Sequence, residues 1–329
     1  MASPPLLTLY ADDRPRIEAA LLESVRSDDS FLTEVASHLL SGGKRTRPLF
    51  SVGAAGTAIR GAATDAGIQG GIACELVHLG SLYHDDVMDE ASTRRGVDSV
   101  NARWGNLTAI LAGDFLLARA SGIAAALGTE TAALLSDTIG RLCEGQLAEL
   151  RQVFDPSRTV DAYYTAIGGK TAALFRTACR VGALVSDQSP ERVEALSAFG
   201  LHYGLAFQVV DDLLDLVSTE EKMGKPVGHD LLEGVYTLPV LLTLNGPNGD
   251  QLKELLGSPL DPEQHQRAIT LVRDGEGIDA ALDAARNHVT EAVDHLDSLG
   301  PSPAAESLAV TARGLVTGIE AAVEACRAG

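Results

Sequence analysis

The stretch LVHLGSLYHDDVMD, residues 76–89, ends an apolar run in the pentapeptide Asp-Asp-x-x-Asp. The stretch LAFQVVDDLLD, residues 205–215, repeats that arrangement much later in the chain. Apolar residues at three- and four-residue spacing predict that both stretches are helices. Residues four apart share a helix face, so Asp85 lies above Asp89 and Asp211 above Asp215. Like charges at that spacing repel, and burial adds to the cost, so the sequence predicts a bound cation at each pair.

Clustered carboxylate oxygens suit a hard ion such as Mg²⁺, which proteins usually share with substrate phosphates. Two such faces could close on one diphosphate from opposite sides. Because each acidic motif ends an apolar helix, we expect a pocket with a charged mouth and an apolar interior.

The composition of the 329 residues is 45% hydrophobic but 4% aromatic, which favours helix over sheet. We expect one all-α domain over residues 1–329, because no long linker and no alternating strand pattern is visible. Helices are expected at about 14–40, 46–60, 64–91, 106–127, 130–153, 160–184, 190–218, 236–244, 262–274, 277–297 and 303–327.

The formal net charge of −19 argues against a nucleic-acid partner and against a permanently bound anionic membrane. We see no signal peptide and no uninterrupted apolar run of membrane-spanning length, so a soluble cytoplasmic protein is expected. The four cysteines lack metal-ligand spacing and are expected to be small buried hydrophobes in a reducing compartment.

Positive charge is concentrated in three short segments, each next to glycine. They are Gly42-Gly43-Lys44-Arg45-Thr46-Arg47-Pro48, Thr93-Arg94-Arg95-Gly96 and Gly168-Gly169-Lys170-Thr171. A glycine-led turn with cations that enters a helix suits a phosphate group. The third segment is not a P-loop, because the wider glycine spacing and the preceding strand are missing.

Together these motifs resemble those of the trans-isoprenyl diphosphate synthases (polyprenyl synthetases), in the family's order and over nearly the whole chain. Glu75-Leu76-Val77-His78, Phe207 to Asp215 and Gly224-Lys225 complete the set. The resemblance implies an isoprenoid-synthase-type helical bundle around a central apolar cavity. It also implies a cytoplasmic homodimer that uses Mg²⁺, three ions per active site with substrate bound, for which Mn²⁺ can substitute.

The resemblance further implies a role for each matching residue. Asp85, Asp89 and Asp211 would hold Mg²⁺ on an allylic diphosphate, with Asp86, Asp212 and Asp215 as water-mediated or supporting partners. The same diphosphate would be bound by Arg94, Lys170 and Lys225. Isopentenyl diphosphate would be bound by Lys44, Arg47, His78 and Arg95. Thr171 and Gln208 would face the developing allylic cation.

The implied reaction explains these residue types. The allylic C–O bond ionises, the isopentenyl double bond attacks C1, and loss of a proton completes a five-carbon extension. Metal ions and cations stabilise the departing pyrophosphate, and an apolar pocket keeps water from the carbocation. One departure is visible, since Glu233-Gly234-Val235 has no lysine where many relatives carry one after the glutamate and glycine.

The residues one turn before Asp85 are Gly80 and Ser81, which would form the floor of the tail pocket. Members of the family that stop early resemble each other in carrying a bulky aromatic there. Small residues leave the floor open, so we expect a product of roughly C30 to C50. Tyr83 is a complication, because its ring could face the same cavity.

Four other interpretations remain open at this point. A short-chain synthase making C15 to C20 products would share every motif. A class I terpene cyclase would show a different second metal motif and no Gly-Gly-Lys-Arg turn. An HD-type metal phosphohydrolase, suggested by His84-Asp85 and His229-Asp230, leaves the paired aspartate motifs unexplained. A non-catalytic subunit of a heteromeric synthase would not need both motifs intact.

Overall fold

The computed structural model describes residues 5–59, 61–223 and 226–328. The chain is 76% helical with almost no strand in the part described, which confirms the predicted all-α class. The α-helices, in chain order, are α1 Leu6–Leu9, α2 Arg14–Ser24, α3 Ser30–Ser37, α4 Thr46–Gly56, α5 Asp65–Met88, α6 Val100–Trp104, α7 Asn106–Ala126, α8 Thr129–Leu150, α9 Val160–Ile167, α10 Ala173–Leu184, α11 Pro190–Val217, α12 Glu220–Met223, α13 His229–Leu232, α14 Leu238–Leu244, α15 Gly249–Lys253, α16 Pro262–Arg273, α17 Gly277–Asp297 and α18 Pro303–Ala328.

The single helix expected over residues 14–40 is wrong, because two helices occupy that range. Helix α2 ends at Ser24, and α3 begins after Asp29, whose side chain accepts hydrogen bonds from the backbone N–H groups of Phe31 and Leu32. An aspartate in that position satisfies the free N–H groups of a first helical turn, so it starts a new helix.

Two short strands follow α5. They are β1 Thr93–Arg94 and β2 Val97–Asp98, which pair antiparallel. The turn between them is Arg95-Gly96, with φ of 55° and 79°. Positive φ at both central positions is typical of the two-residue turns that match the twist of a hairpin. The hairpin therefore places Arg94 and Arg95 next to the end of α5.

The chain divides into two compact units, which we describe separately. Unit 1 comprises Met1–Ile139, Leu174–Gly200 and Leu296–Val310, and unit 2 comprises Gly140–Ala173, Leu201–His295 and Thr311–Gly329. The expectation of a single domain over residues 1–329 stays a prediction.

The core of unit 1 surrounds α5, which packs between α4 and α7. The Phe50 ring on α4 lies 5.5 Å from that of Phe175 on α10 and 5.9 Å from that of Phe199 on α11. Glycines let the helices approach closely: a Cβ on Gly71 would lie 2.5 Å from the Pro48 Cα. This close packing holds the first half of α5 against α4.

The core of unit 2 is a cluster of buried apolar side chains from α9, the second half of α11, α14, α16 and α17. Tyr163, Leu213, Val240, Val272 and Ala281 represent those helices in it. The cluster encloses the apolar face of the second aspartate motif, so the aspartates of that motif are held on a rigid element.

Two helices, α7 and α11, are long and apolar enough to cross a membrane by length and composition. The apolar sequence of α7 is interrupted by two charged residues, Asp114 and Arg119. The apolar part of α11 is 61% buried inside the protein, as in a core helix, and that of α7 is 33% buried.

The four cysteines are free thiols. Cys74 and Cys179 are buried, as expected for small hydrophobes, whereas Cys143 is exposed and Cys326 is half-buried.

Candidate functional site

The first aspartate motif lies at the C-terminal end of α5. Asp85 is half-buried and Asp89 is exposed, and the Asp89 N–H donates to the Asp85 carbonyl at 2.8 Å. A helix C-terminus carries partial negative charge, which disfavours carboxylates there. A bound cation therefore stabilises these two carboxylates more than it would stabilise carboxylates in the middle of a helix.

The middle aspartate of this motif has a different environment. Asp86 is fully buried, and its Oδ1 accepts a hydrogen bond from Arg94 Nε at 2.7 Å and forms an ion pair with Arg94 Nη2 at 2.5 Å. Burial raises the pKa of Asp86, and the Arg94 guanidinium opposes that rise. Asn101 also donates to the Asp86 carbonyl at 3.0 Å. Asp86 therefore anchors the hairpin, and the predicted substrate ligand Arg94 is already ion-paired with it.

The cationic side chains of the predicted phosphate-binding turn at residues 42–48 have two different environments. Arg45 is buried, with φ of 54°, and pairs with Glu18 and Glu75. That ion-paired guanidinium fixes the turn against α2 and α5. Lys44 is exposed, and the guanidinium of Arg47 lies 4.9 Å from the centre of the Phe175 ring. Lys44 and Arg47 are the two members of the turn that the resemblance assigns to substrate.

His78 lies on α5 near three guanidinium groups. Burial lowers the pKa of His78 well below its usual value, and the charges of Arg47, Arg95 and Arg94 lower it further. Arg95 donates to the Leu39 carbonyl at 2.8 Å, and its Nη1 would lie 3.3 Å from a Cβ on Gly43. The structure thus brings three predicted substrate-binding arginines close to a fourth predicted ligand, the neutral imidazole of His78. Such a patch favours an anion with several oxygens.

The second aspartate motif lies in the last two turns of α11, in unit 2. Asp211 is exposed, whereas Asp212 is buried and accepts from Tyr163 Oη at 2.5 Å and from Gln208 Nε2 at 2.9 Å. Burial, then the Asp230 charge, raises the pKa of Asp212 well above its usual value. The second motif therefore repeats the first: an accessible leading carboxylate is followed by a buried, hydrogen-bonded one.

Asp215 organises the loop that follows α12. Its Oδ2 accepts from the Asp230 N–H at 3.2 Å, and its carbonyl accepts from the Gly228 N–H at 2.8 Å. The buried Asp215 carboxylate thus shapes the segment around α13. Lys225, a predicted diphosphate ligand, lies outside the described residues.

The third basic segment is a π-helical turn, Gly168–Ala172, between α9 and α10. A Cβ on Gly169 would lie 2.6 Å from the Arg141 carbonyl on α8, so this glycine serves close helix packing. Lys170 is ion-paired with Glu149. Thr171 Oγ1 donates to Gln208 Oε1 at 2.7 Å, which joins Thr171, Gln208, Asp212 and Tyr163 in one hydrogen-bonded chain. Single π-helical turns occur frequently at functional sites.

The two residues of the predicted floor have different neighbours. A Cβ on Gly80 would lie 3.1 Å from the Gly113 carbonyl and 3.2 Å from Leu117 Cγ, both on α7. The small size of Gly80 therefore serves helix packing, and the interpretation that it leaves open space is wrong. Ser81 is half-buried and donates to the His78 carbonyl at 2.9 Å. Tyr83 is buried with its hydroxyl 2.8 Å from the Val35 carbonyl on α3, so that end of its ring is fixed.

Sequence reasoning missed the residues that hold the predicted ones in place. Tyr163, Glu149, Glu18 and Glu75 each make one of these contacts. Each lies 21 to 49 residues from its partner in sequence. Glu75 belongs to a quoted motif, but no local pattern shows that it pairs with Arg45, and the other three belong to no motif.

The carboxylates present fit a hard divalent ion. Asp85 and Asp89 offer oxygens on one helix face, and Asp211 offers an exposed carboxylate on α11. Carboxylate oxygens are donors that suit a hard ion such as Mg²⁺. Asp212 and the Oδ1 of Asp86 accept hydrogen bonds from protein donors, which fits a supporting position better than a ligand position.

Residues 29–272 match the protein-family model described as Polyprenyl synthetase. The nonaprenyl diphosphate synthase of Mycobacterium tuberculosis is 39% identical over 298 residues, which cover 89% of this chain and 89% of that protein.

Two solved structures share the fold along nearly their whole length. The heptaprenyl diphosphate synthase from Staphylococcus aureus has a TM-score of 0.89 at 31% identity, covering 94% of this chain and 98% of its own. A polyprenyl synthase from Caulobacter crescentus, complexed with calcium and isoprenyl diphosphate, has a TM-score of 0.87 at 32% identity. That match covers 95% of this chain and 96% of the other.

Proposed function

Because the chain belongs to the polyprenyl synthetase family, we propose that it is a prenyltransferase that condenses isopentenyl diphosphate with an allylic diphosphate. The product is an all-trans polyprenyl diphosphate of roughly C30 to C50. The observation that carries the proposal is the layout of α5. Its end bears the carboxylates of Asp85 and Asp89, and two turns earlier His78 lies near the guanidinium groups of Arg47, Arg94 and Arg95.

Asp85, Asp89 and Asp211 would hold the Mg²⁺ ions, three per active site once the allylic diphosphate is bound, and Mn²⁺ would substitute. Ions bound there would supply Lewis-acid stabilisation of the charge that develops on the leaving pyrophosphate. Asp86, Asp212 and Asp215 support the ligands by fixing the backbone and the neighbouring side chains.

The diphosphate of isopentenyl diphosphate is bound by Lys44, Arg47, His78 and Arg95. Burial keeps His78 neutral, so the imidazole can donate one hydrogen bond to a phosphate oxygen without adding a fourth positive charge. The guanidinium groups around His78 repel each other in the absence of an anion. A bound anion relieves that repulsion, so the free energy of anion binding is more favourable. Arg94, Lys170 and Lys225 bind the allylic diphosphate.

The reaction needs no protein nucleophile. The allylic C1–O bond breaks, leaving pyrophosphate and an allylic carbocation. The isopentenyl double bond then attacks C1, and a proton passes to the departing pyrophosphate. The side-chain oxygens of Thr171 and Gln208, fixed by the hydrogen bond between them, face the positive charge while apolar residues exclude water.

The length of the product is set where the growing tail meets the residues before Asp85. We retain Ser81 as the floor residue, because it is small and half-buried one turn deeper on α5. A small side chain at that position lets the chain grow past the length at which a bulky one would stop it.

The active form is a cytoplasmic homodimer without a nucleic-acid partner. Helix α7 supports this, because Leu107, Ile110 and Leu111 lie on one face and expose 79%, 41% and 66% of their surface. Exposed apolar patches of this kind mark interfaces. A second copy of the chain would cover this face. Light scattering after gel filtration tests it: a dimer that becomes monomeric in Leu111→Asp supports the proposal, and a wild-type monomer contradicts it.

The reaction itself is tested by incorporation of radiolabelled isopentenyl diphosphate into an allylic primer with Mg²⁺ present. Asp85→Ala and Asp211→Ala should each lose nearly all incorporation, and so should the wild type in excess EDTA. Asp283→Ala is the matched control, since Asp283 is an exposed aspartate paired with Arg286 in α17. Activity near wild type in Asp85→Ala or Asp211→Ala would remove the metal assignment.

A further inference from the structure

Unit 2 also carries a cluster of imidazoles and a carboxylate that the prenyl transfer does not use. His202 lies on α11, and His288 and Glu291 lie one turn apart on α17. The His202 Nδ1 is 3.2 Å from the His288 Nδ1 and 3.1 Å from Glu291 Oε2. One potential ligand atom from each residue lies within 4.8 Å of the other two. The His295 ring, four residues further along the same α17 face, lies 5.6 Å from the ring of His202.

Hydrogen bonding alone satisfies this cluster poorly. An imidazole Nδ1 carries either one hydrogen or one lone pair. If the His202 Nδ1 carries the hydrogen, it must share that hydrogen between Glu291 and His288. If it carries the lone pair, that lone pair faces the Glu291 carboxylate. In the first case one hydrogen serves two acceptors, and in the second the His288 Nδ1–H can donate to His202 while the Glu291 carboxylate still faces a lone pair. One divalent cation would satisfy all three atoms.

The distances fit a metal ion as well. Two ligand atoms at 2.0–2.1 Å from a tetrahedral Zn²⁺ lie about 3.3 Å apart. The two distances measured from the His202 Nδ1, 3.2 Å and 3.1 Å, are close to that value. Two imidazoles and one carboxylate also form the donor set of three-ligand zinc sites that keep a fourth position open.

The protonation state and the access route agree with the geometry. Burial lowers the pKa of His202 and of His288, so both imidazoles are neutral, which is the form that binds metal. A cavity of about 530 Å³, lined by His288, Tyr164 and Asn287 among others, opens next to the cluster. An ion and the water that completes its coordination can therefore reach the site.

We propose that His202, His288 and Glu291 form a transition-metal site that takes Zn²⁺ and clamps α11 to α17. The site is separate from the carboxylates that hold Mg²⁺ and does not depend on the proposed reaction. Its consequence is structural: the clamp fixes the helix whose last two turns carry Asp211, Asp212 and Asp215.

Equilibrium dialysis of the full chain against Zn²⁺ tests the site. The protein is first stripped with EDTA and then dialysed in excess Mg²⁺, which occupies the carboxylate motifs. We expect one Zn²⁺ per chain, with affinity weakened about a hundredfold or more in Glu291→Gln and in His288→Ala. Glu291 is 60% exposed, so Glu291→Gln keeps the fold even where His288→Ala does not. His38→Ala, which removes a histidine of unit 1, is the matched control.

Two further readouts separate a built site from surface adsorption. Co²⁺ in the same site should give an intense visible absorption typical of tetrahedral coordination, which Glu291→Gln should lose. Zn²⁺ at a hundredfold excess over its dissociation constant should raise the thermal midpoint of the wild type by about 5 °C, but not that of Glu291→Gln. Equal Zn²⁺ binding by wild type and Glu291→Gln, or an equal loss in His38→Ala, would overturn the proposal.

Discussion

Asp86 and Arg94 form an ion pair in which a single carboxylate oxygen accepts a hydrogen bond from Nε at 2.7 Å and lies 2.5 Å from Nη2 of the guanidinium. Asp86 is fully buried, and Arg94 is about one-third exposed. The pair joins the end of α5 to the β1–β2 hairpin, so the aspartate motif and the arginine motif move as one element. Asp212 repeats the arrangement in unit 2 with Tyr163 and Gln208 as donors.

Because Asp86 is buried and ion-paired whereas Asp85 is a predicted metal ligand, substitution of the two aspartates should change the free energy of unfolding differently. In the absence of Mg²⁺, Asp86→Asn should lower the free energy of unfolding by about 3 kcal/mol, because Arg94 loses its charged partner. Asp85→Asn should leave stability unchanged or raise it by a few tenths of a kcal/mol, since it relieves repulsion from Asp89. Urea unfolding of both variants measures the difference. A comparable loss in both would contradict separate roles.

Activity should follow a different order from stability. Asp85→Asn should lower kcat by about a hundredfold or more, because it removes a ligand that stabilises the leaving group only in the transition state. Steady-state rates over a range of Mg²⁺ concentrations should also show a raised requirement for the ion. An unchanged Mg²⁺ dependence would remove Asp85 from the metal site.

The Tyr163 hydroxyl is predicted to hold Asp212 in place. Tyr163→Phe leaves a buried carboxylate without one of its donors, which should cost about 1–3 kcal/mol of unfolding free energy. Tyr164→Phe is the matched control, since Tyr164 is the adjacent, half-buried tyrosine. Equal thermal midpoints for the two variants would show that the Tyr163–Asp212 hydrogen bond does not stabilise the folded protein.

His78 predicts a pH dependence of stability in the ligand-free protein. Its pKa is lower in the folded than in the unfolded state, so the unfolded state binds the proton more tightly. Its contribution is therefore fully present above the unfolded pKa of about 6.5 and is lost as pH falls below it. Melting curves at pH 7.5, 6.5 and 5.5 should show His78→Gln losing less stability than the wild type. Parallel losses would show that His78 is not buried as a neutral imidazole.

Two adjacent residues on α5 should respond differently to enlargement. Ser81→Phe should shorten the product by closing the floor of the tail pocket while the protein stays folded. Gly80→Ala should leave the product length unchanged and cost about 1–3 kcal/mol, because the added Cβ meets α7. Chromatography of the products and urea unfolding measure the two effects. A shorter product from Gly80→Ala with normal stability would reverse the assignment.

Much of this could be predicted from the sequence, because long helices have a strong periodic signal. The expected helices at 64–91 and 190–218 correspond to α5 and α11 within a few residues. The break between α2 and α3 was missed although Asp29 is a residue that starts helices, since the apolar period continues on both sides of it.

The sequence predicted which residues belong to the site. It did not predict the residues that contact them. The sequence identified Asp86, Asp212 and Lys170 but not Arg94, Tyr163 and Glu149 as the groups that hold them. Such pairings depend on tertiary contacts between distant residues, which no local spacing encodes. For the same reason the sequence could not show that Gly80 lies against α7.

The most direct test of the central claim is the size of the product. The purified protein is incubated with Mg²⁺, radiolabelled isopentenyl diphosphate and, separately, geranyl, farnesyl and geranylgeranyl diphosphate. The products are dephosphorylated and sized by reversed-phase chromatography. We expect alcohols of roughly C30 to C50 from at least one primer. A clean stop at C15 or C20 would contradict the proposed length, and the absence of any product with every primer would contradict the proposed reaction.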